Sequence, residues 1–192
     1  MITKIKVSAF KSLVDFEIEL GKFNCIIGLN GAGKSTVLQI VSYISAIMKG
    51  DVNTWLEDRD WESSDVVSNH HPTRETITID VEFKFKDKNY TWQAVYNWRK
   101  GFCTSETVID VSNPEQNLLR VYQGKLKTNK DEQDIFFKYS GSILSVLDEN
   151  IISFELSRIR NYIIQIANHD LLSPKVMRSG QFAKQGSPLV SE

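Results

Sequence analysis

Residues 28–36 read Gly-Leu-Asn-Gly-Ala-Gly-Lys-Ser-Thr, the complete spacing G-x-x-x-x-G-K-[ST] of a phosphate-binding loop. At average composition such a match arises by accident in a chain of this length with a probability of roughly one per cent, so the motif dominates any reading of the fold. Its glycines let successive backbone N–H groups curl toward one anion, and the helix that follows adds the partial positive charge of its N-terminus. The spacing assigns Gly28, Asn30, Gly31, Ala32 and Gly33 to the cradle, and Lys34 to the β- and γ-phosphates of a nucleoside triphosphate such as ATP. It makes the Ser35 hydroxyl a ligand of Mg²⁺ and Thr36 a donor to the α-phosphate. Lys34 is thereby the residue that offsets charge developing on the phosphates.

The loop requires a strand before it and a helix after it. Upstream, Lys22-Phe23-Asn24-Cys25-Ile26-Ile27 ends in three apolar residues without alternation, which predicts a strand covered on both faces and a buried Cys25. Downstream, Val37, Leu38, Ile40, Val41, Ile44, Ile47 and Met48 recur at helical spacing, predicting a helix over about 34–49 that Gly50 closes.

The rest of the chain is organised around this core. Before the loop, Ile2–Val7 and Val14–Leu20 alternate apolar with polar residues, as antiparallel or edge strands do, so residues 1–50 comprise three strands, the loop and its helix. Residues 51–75 form an acidic connection whose Trp55 and Trp61 should pack inward. From 76 to 128 alternation returns: Ile77, Ile79, Val81, Phe83 and Phe85, then Tyr90, Trp92, Ala94 and Tyr96 across a Lys86–Asn89 turn, predict an antiparallel meander, with a further strand over Leu118–Lys127. Residues 140–172 read as helical, beginning at Ile143–Leu147 and continuing through Leu156, Ile159, Tyr162, Ile163, Ile166 and Ala167, and 173–192 as a polar tail.

Composition excludes little: 192 residues, 41% apolar, 24% charged and a formal charge of −1 suit an ordinary globular chain with no global signal for nucleic acid. No apolar run reaches membrane-spanning length and the N-terminus lacks a signal-peptide core, so the expectation is a cytoplasmic protein with no membrane partner. Two cysteines, Cys25 and Cys103, make neither a disulfide framework nor a zinc site.

The run Ile5–Thr36, in which Ala9-Phe10-Lys11-Ser12 precedes a hairpin and then the phosphate loop, resembles the ATPase heads of the SMC/RecF/ABC class. Within that class it is most similar to bacterial AAA-type ATPases related to the OLD (overcoming lysogenisation defect) proteins. The resemblance implies an α/β P-loop NTPase head with an antiparallel β-rich lobe and a C-terminal helical segment, of which 1–192 is the N-terminal part. It implies ATP and Mg²⁺ as cofactors, a second head as homodimeric partner, ATP-driven closure linked to DNA repair, DNA processing or phage defence, and a nuclease domain or subunit. It also implies that Lys11 reaches the triphosphate; a solvated strand-end lysine fits the sequence equally well.

A hydrolytic head further needs an apolar strand ending in an acidic pair. Ile143-Leu144-Ser145-Val146-Leu147-Asp148-Glu149 is the candidate, with Asp148 and Glu149 as the catalytic pair; Ser145 interrupts it, and an amphipathic helix with solvated carboxylates fits as well. The better account is truncation, with the signature, the acidic strand and any nuclease beyond residue 192. Two rival functions stay open: the ATPase subunit of an ABC transporter, and a nucleotide sensor without turnover. Gln93, Gln165 and Gln181 are unresolved candidates for a water- or Mg²⁺-contacting glutamine. His70-His71 reads as surface loop, Asp51–Asp65 as a solvated face, and Arg158 and Arg160 as arginines at the border of an apolar stripe.

Overall fold

The computed structural model describes residues 1–85, 88–115, 117–129, 131–149 and 152–166; the end of the expected helical stretch from Ala167, the expected tail and Gln181 lie outside them. Eight strands form one sheet: β1 (Ile2–Phe10), β2 (Leu13–Glu19), β3 (Thr76–Phe85), β4 (Lys88–Asn97), β5 (Phe102–Asp110), β6 (Asn117–Tyr122), β7 (Lys125–Thr128) and β8 (Glu132–Asp134). Their order is β2-β1-β3-β4-β5-β6-β7-β8, and every neighbouring pair is antiparallel. Helices α1 (Lys34–Lys49), α2 (Val52–Glu57) and α3 (Phe154–Ile164) and two 3₁₀ turns, Ser63–Val66 and Ile143–Ser145, complete the described elements.

The alternation read from the sequence becomes two rows of buried side chains across the sheet. One runs Ile5, Val81, Trp92, Val108, Leu119; the next runs Val7, Ile79, Ala94, Glu106, Val121, Leu126. Each row continues from strand to strand because side chains directly opposite in register share a face. Above this face lies α1, whose Tyr43 contacts the rings of Phe10 at 5.3 Å, Trp55 at 4.8 Å and Tyr96 at 5.7 Å between centroids. Gly50 ends α1 at φ 73°, its N–H turned back onto the Ala46 and Ile47 carbonyls, as the sequence predicts.

Several expectations are corrected. Lys22–Ile27 forms no strand, and Cys25 is exposed, as are Phe23 (88%) and Ile27 (89%). A strand covered on both faces needs neighbours on both sides; among the described residues all eight strands belong to the antiparallel sheet, and none pairs with this segment. The single strand expected at Leu118–Lys127 is a hairpin, because Gln123 (φ 50°) and Gly124 (φ 76°) form a tight turn between β6 and β7. Part of the charged stretch that follows pairs as β8. The helical third is shorter than predicted: Ile143–Ser145 is a 3₁₀ turn, and α3 starts only at Phe154, capped by the Ser153 hydroxyl.

Candidate nucleotide-binding site

The phosphate loop meets the sheet at the apex of the β1–β2 hairpin. Lys11, at φ 50°, donates its backbone N–H to the Val66 carbonyl at 3.0 Å, and Phe10 bridges to Val67, so the segment after α2 is stitched beside the hairpin. Between them opens a cleft of about 590 Å³, a size suited to a small ligand. Gly31, Gly33, Ser35 and Thr36 form one wall, Lys11 and Ser12 line it at the hairpin apex, and Ser64, Asp65, Val67, Asn69 and His70 form the other.

The backbone of the loop explains two of its glycines. Gly31 (φ 84°) and Gly33 (φ 87°) occupy the left-handed region, and a Cβ on Gly33 would sit 3.3 Å from the Ser12 hydroxyl. Gly28 is different: a Cβ there would make only ordinary contacts with Ala32 and Lys34. The Leu29 carbonyl accepts from Ala32 N–H at 3.2 Å, and the Gly33 carbonyl begins α1 by accepting from Val37 N–H at 3.1 Å. No side chain caps α1 and its first turn carries no acid, so its leading N–H groups keep their capacity for an anion.

Lys34 folds over the loop, donating to the carbonyls of Gly28 at 2.7 Å and Leu29 at 2.6 Å. Ser12 donates to the Thr36 hydroxyl at 3.3 Å. The ammonium of Lys11 lies 3.5 Å from the centre of the Trp61 ring. Burial lowers its pKa below the usual lysine value; the Asp65 carboxylate opposes that shift and Arg59 adds to it. Lys11 is therefore held at the cleft, not solvated at a strand end.

The acidic candidates lie elsewhere. Residues 143–147 form a turn and not a strand, and this turn packs at the C-terminal end of α1, where Ser142 N–H donates to Ile47 O at 2.8 Å. The 16 residues of α1, about 24 Å at 1.5 Å per residue, separate that end of the helix from Lys34 at the other. Glu149 instead pairs with Arg160 at 2.7 Å. Neither carboxylate lines the cleft, and the pair follows a 3₁₀ turn, so neither the expected strand nor the amphipathic-helix alternative forms there.

Arg160 itself is buried, donating to the Leu144 and Leu147 carbonyls, whereas Arg158 stacks on Phe85 at 4.7 Å. Gln93 lies on β4 and Gln165 at the end of α3; neither lines the cleft. His70, read from sequence as plain surface, does line it. Ser12, Ser64, Asp65 and Asn69 were not legible as cleft residues. The one sequence signal was the Glu62/Asp65 reciprocal cap of the Ser63–Val66 turn, in which Glu62 N–H donates to Asp65 at 2.7 Å.

Among the described residues no group of three or more His, Cys, Asp or Glu could hold a metal ion, and no helix is long and apolar enough to cross a membrane. The Ser35 and Thr36 hydroxyls and the Gly31–Gly33 backbone give the cleft hydrogen-bonding groups suited to a phosphate.

Comparison with known proteins agrees with this chemistry. Residues 1–187 match the family described as AAA ATPase domain. The chain is also 34% identical over 91 residues to the OLD nuclease of Thermus scotoductus (strain ATCC 700910 / SA-01); the match covers 47% of this chain and 15% of that relative, so the chain spans a small part of the relative's length. With its motif, loop geometry and nearly full-length family match, this chain belongs to the AAA ATPase domain family and is OLD-like within it.

Proposed function

We propose that the chain binds ATP–Mg²⁺ in the cleft between the phosphate loop and the Ser64–His70 wall, as the N-terminal part of an ABC/SMC-type head. The observation that carries this reading is the left-handed Gly31 and Gly33 at an uncapped N-terminus of α1, beside Lys34, Ser35 and Thr36. Lys34 leaves its two loop carbonyls for the β- and γ-phosphates, Ser35 ligates Mg²⁺, and Thr36 serves the α-phosphate. Lys11 adds a second positive charge from the hairpin apex. In the complete protein, ATP hydrolysis drives pairing of two heads in DNA processing or phage defence, and the named relative, an OLD nuclease, makes a nuclease effector the natural companion.

Exposure of Phe23, Ile27, Leu29 and Leu38 around the loop supports the incomplete-head reading. These side chains await the parallel strands that flank a phosphate loop in a finished head, and the catalytic acid comes with those strands. The position of Asp148 and Glu149 favours a second reading for the isolated chain, nucleotide binding without turnover.

The test is titration of the 192-residue chain with ATP–Mg²⁺ by calorimetry, alongside phosphate release, with Lys34→Ala as control. The expected result is Lys34-dependent binding with no Lys34-dependent turnover. Binding unchanged in Lys34→Ala would overturn the site; Lys34-dependent turnover would overturn the assignment of the catalytic acid to other strands.

A further inference from the structure

Adjoining the nucleotide cleft at Ser64 lies a second groove, of about 440 Å³. Its apolar surface is Leu56 and the indoles of Trp61 and Trp98; its polar lining includes the carboxylates of Glu57 and Glu62 and the amide of Asn53. Leu56 is buried, both indoles are partly exposed, and Glu57 and Glu62 are exposed. The Glu62 carboxylate is fixed in place by capping the 3₁₀ turn, and the Trp98 indole by donating to the Arg74 carbonyl at 3.1 Å.

Electron-rich rings beside carboxylates select a cation, and a planar one most of all, because guanidinium can stack on an indole while its N–H fork meets a carboxylate. The molecule already uses this chemistry nearby: Lys11 stands on Trp61, Arg59 on Trp55 at 4.0 Å and Arg99 on Trp98 at 5.0 Å. The surrounding charge points the same way. Residues 51–65 carry six carboxylates, at 51, 57, 58, 60, 62 and 65, and one cation, Arg59; Lys11 and Arg99, on the two groove indoles, are the further cations beside it. Such a field attracts basic partners.

We propose that the Trp61/Trp98 groove is a docking site for an arginine-bearing segment of a partner protein. One arginine lays its guanidinium against the exposed indole surface and directs N–H groups to Glu57 and Glu62. None of its contacts is a phosphate-loop residue, and Trp61, which also carries Lys11 of the nucleotide cleft, is the point where the two sites adjoin.

The probe is a short blocked peptide of alternating glycine and arginine, titrated into the chain while the indole N–H resonances of the four tryptophans are followed by NMR. Matched peptides with glutamate or lysine in place of arginine serve as comparisons. Trp61 and Trp98 should move saturably with the arginine peptide, less with lysine and not with glutamate. The buried Trp92, bound to Glu106, should stay still and report an intact fold. Glu57→Gln should weaken apparent affinity roughly threefold, and Glu57→Lys should weaken it further, with Trp92 unchanged in both variants. No saturable shift at millimolar peptide, an equal response to the glutamate peptide, or undiminished affinity in Glu57→Lys would overturn the proposal.

Discussion

Glu106 is a carboxylate in the middle of an apolar row, fully buried between Ala94 and Val121 of the neighbouring strands. Three donors meet it: the Trp92 indole at 2.8 Å, the Ser142 hydroxyl, and the Ile143 backbone N–H at 2.9 Å. Through Ser142 and Ile143 it fastens the 3₁₀ turn, and thereby the C-terminal end of α1, to the sheet. Glu106→Leu is isosteric enough to fill the space but leaves three buried donors facing hydrocarbon. At about 1–3 kcal/mol for each unsatisfied group, and with the Ser142 hydroxyl able to rotate, the expected loss is about 3–6 kcal/mol. Glu106→Gln retains two acceptances on its oxygen but turns an NH₂ toward the Ile143 N–H, for an expected loss of about 1–3 kcal/mol at pH 5.

The pH dependence has a definite sign. Burial raises the Glu106 pKa above its ordinary 4.5, while the bonds from Ser142, Trp92 and Ile143 pull it partly back. The folded state thus holds the proton more tightly than the unfolded chain. Its contribution is complete below pH 4.5 and declines as pH rises through the folded value. Glutamine lacks this slope, so the gap between the parent chain and Glu106→Gln should narrow from pH 5 to pH 7. Urea unfolding followed by circular dichroism at both pH values measures it. A loss under about 0.5 kcal/mol in Glu106→Leu, typical of a neutral surface change, or a gap that widens with pH, would refute the account.

Other perturbations follow from the same contacts. Gly141, at φ 66°, packs so closely that a Cβ would overlap the Ile47 carbonyl oxygen, so Gly141→Ala should cost more than about 3 kcal/mol in urea unfolding. Arg160→Met removes the donor to the Leu144 and Leu147 carbonyls and should cost about 2–4 kcal/mol, whereas Glu149→Gln, at an exposed carboxylate, should cost under about 1 kcal/mol by the same assay. The exposed Phe23 and Ile27 should drive self-association of this chain, and the double change Phe23→Lys and Ile27→Lys should shift sedimentation toward monomer without altering the melting temperature.

What the sequence disclosed and what it hid divide along physical lines. Alternation in Ile77–Phe85 and Tyr90–Tyr96 is local information, because a strand with one covered face shows period two whatever lies above it, and these became β3 and β4. The α1 stripe and Gly50 were legible for the same reason, and of the phosphate loop the spacing brought Gly31, Gly33, Ser35 and Thr36 to the cleft. The opposite wall of the cleft was hidden. Nothing within residues 63–70 indicates that Phe10 will bridge Val67, or that Lys11 will come to rest on Trp61; those contacts depend on where a loop of no regular period is stitched.

The two misreadings share a cause. Cys25-Ile26-Ile27 and Ile143-Leu144-Ser145-Val146-Leu147 are both short apolar runs, and such a run states only that it wants cover, not which element will supply it. For the second run the cover is α1 and α3: Ile143 and Leu144 are buried, Gly141 and Ser142 meet Ile47, and Arg160 takes the Leu144 and Leu147 carbonyls. Its backbone groups are satisfied by a turn and a buried arginine, so it has no need of a strand. For the first run the described residues supply no cover, and Phe23 and Ile27 stay in water beside a phosphate loop that is otherwise formed. A loop that keeps its left-handed glycines without its strand draws its shape from Ser12, Thr36 and the helix it opens. Nucleotide binding should therefore outlast the loss of flanking strands, while hydrolysis, which needs an acid held at a fixed distance from the γ-phosphate, should not.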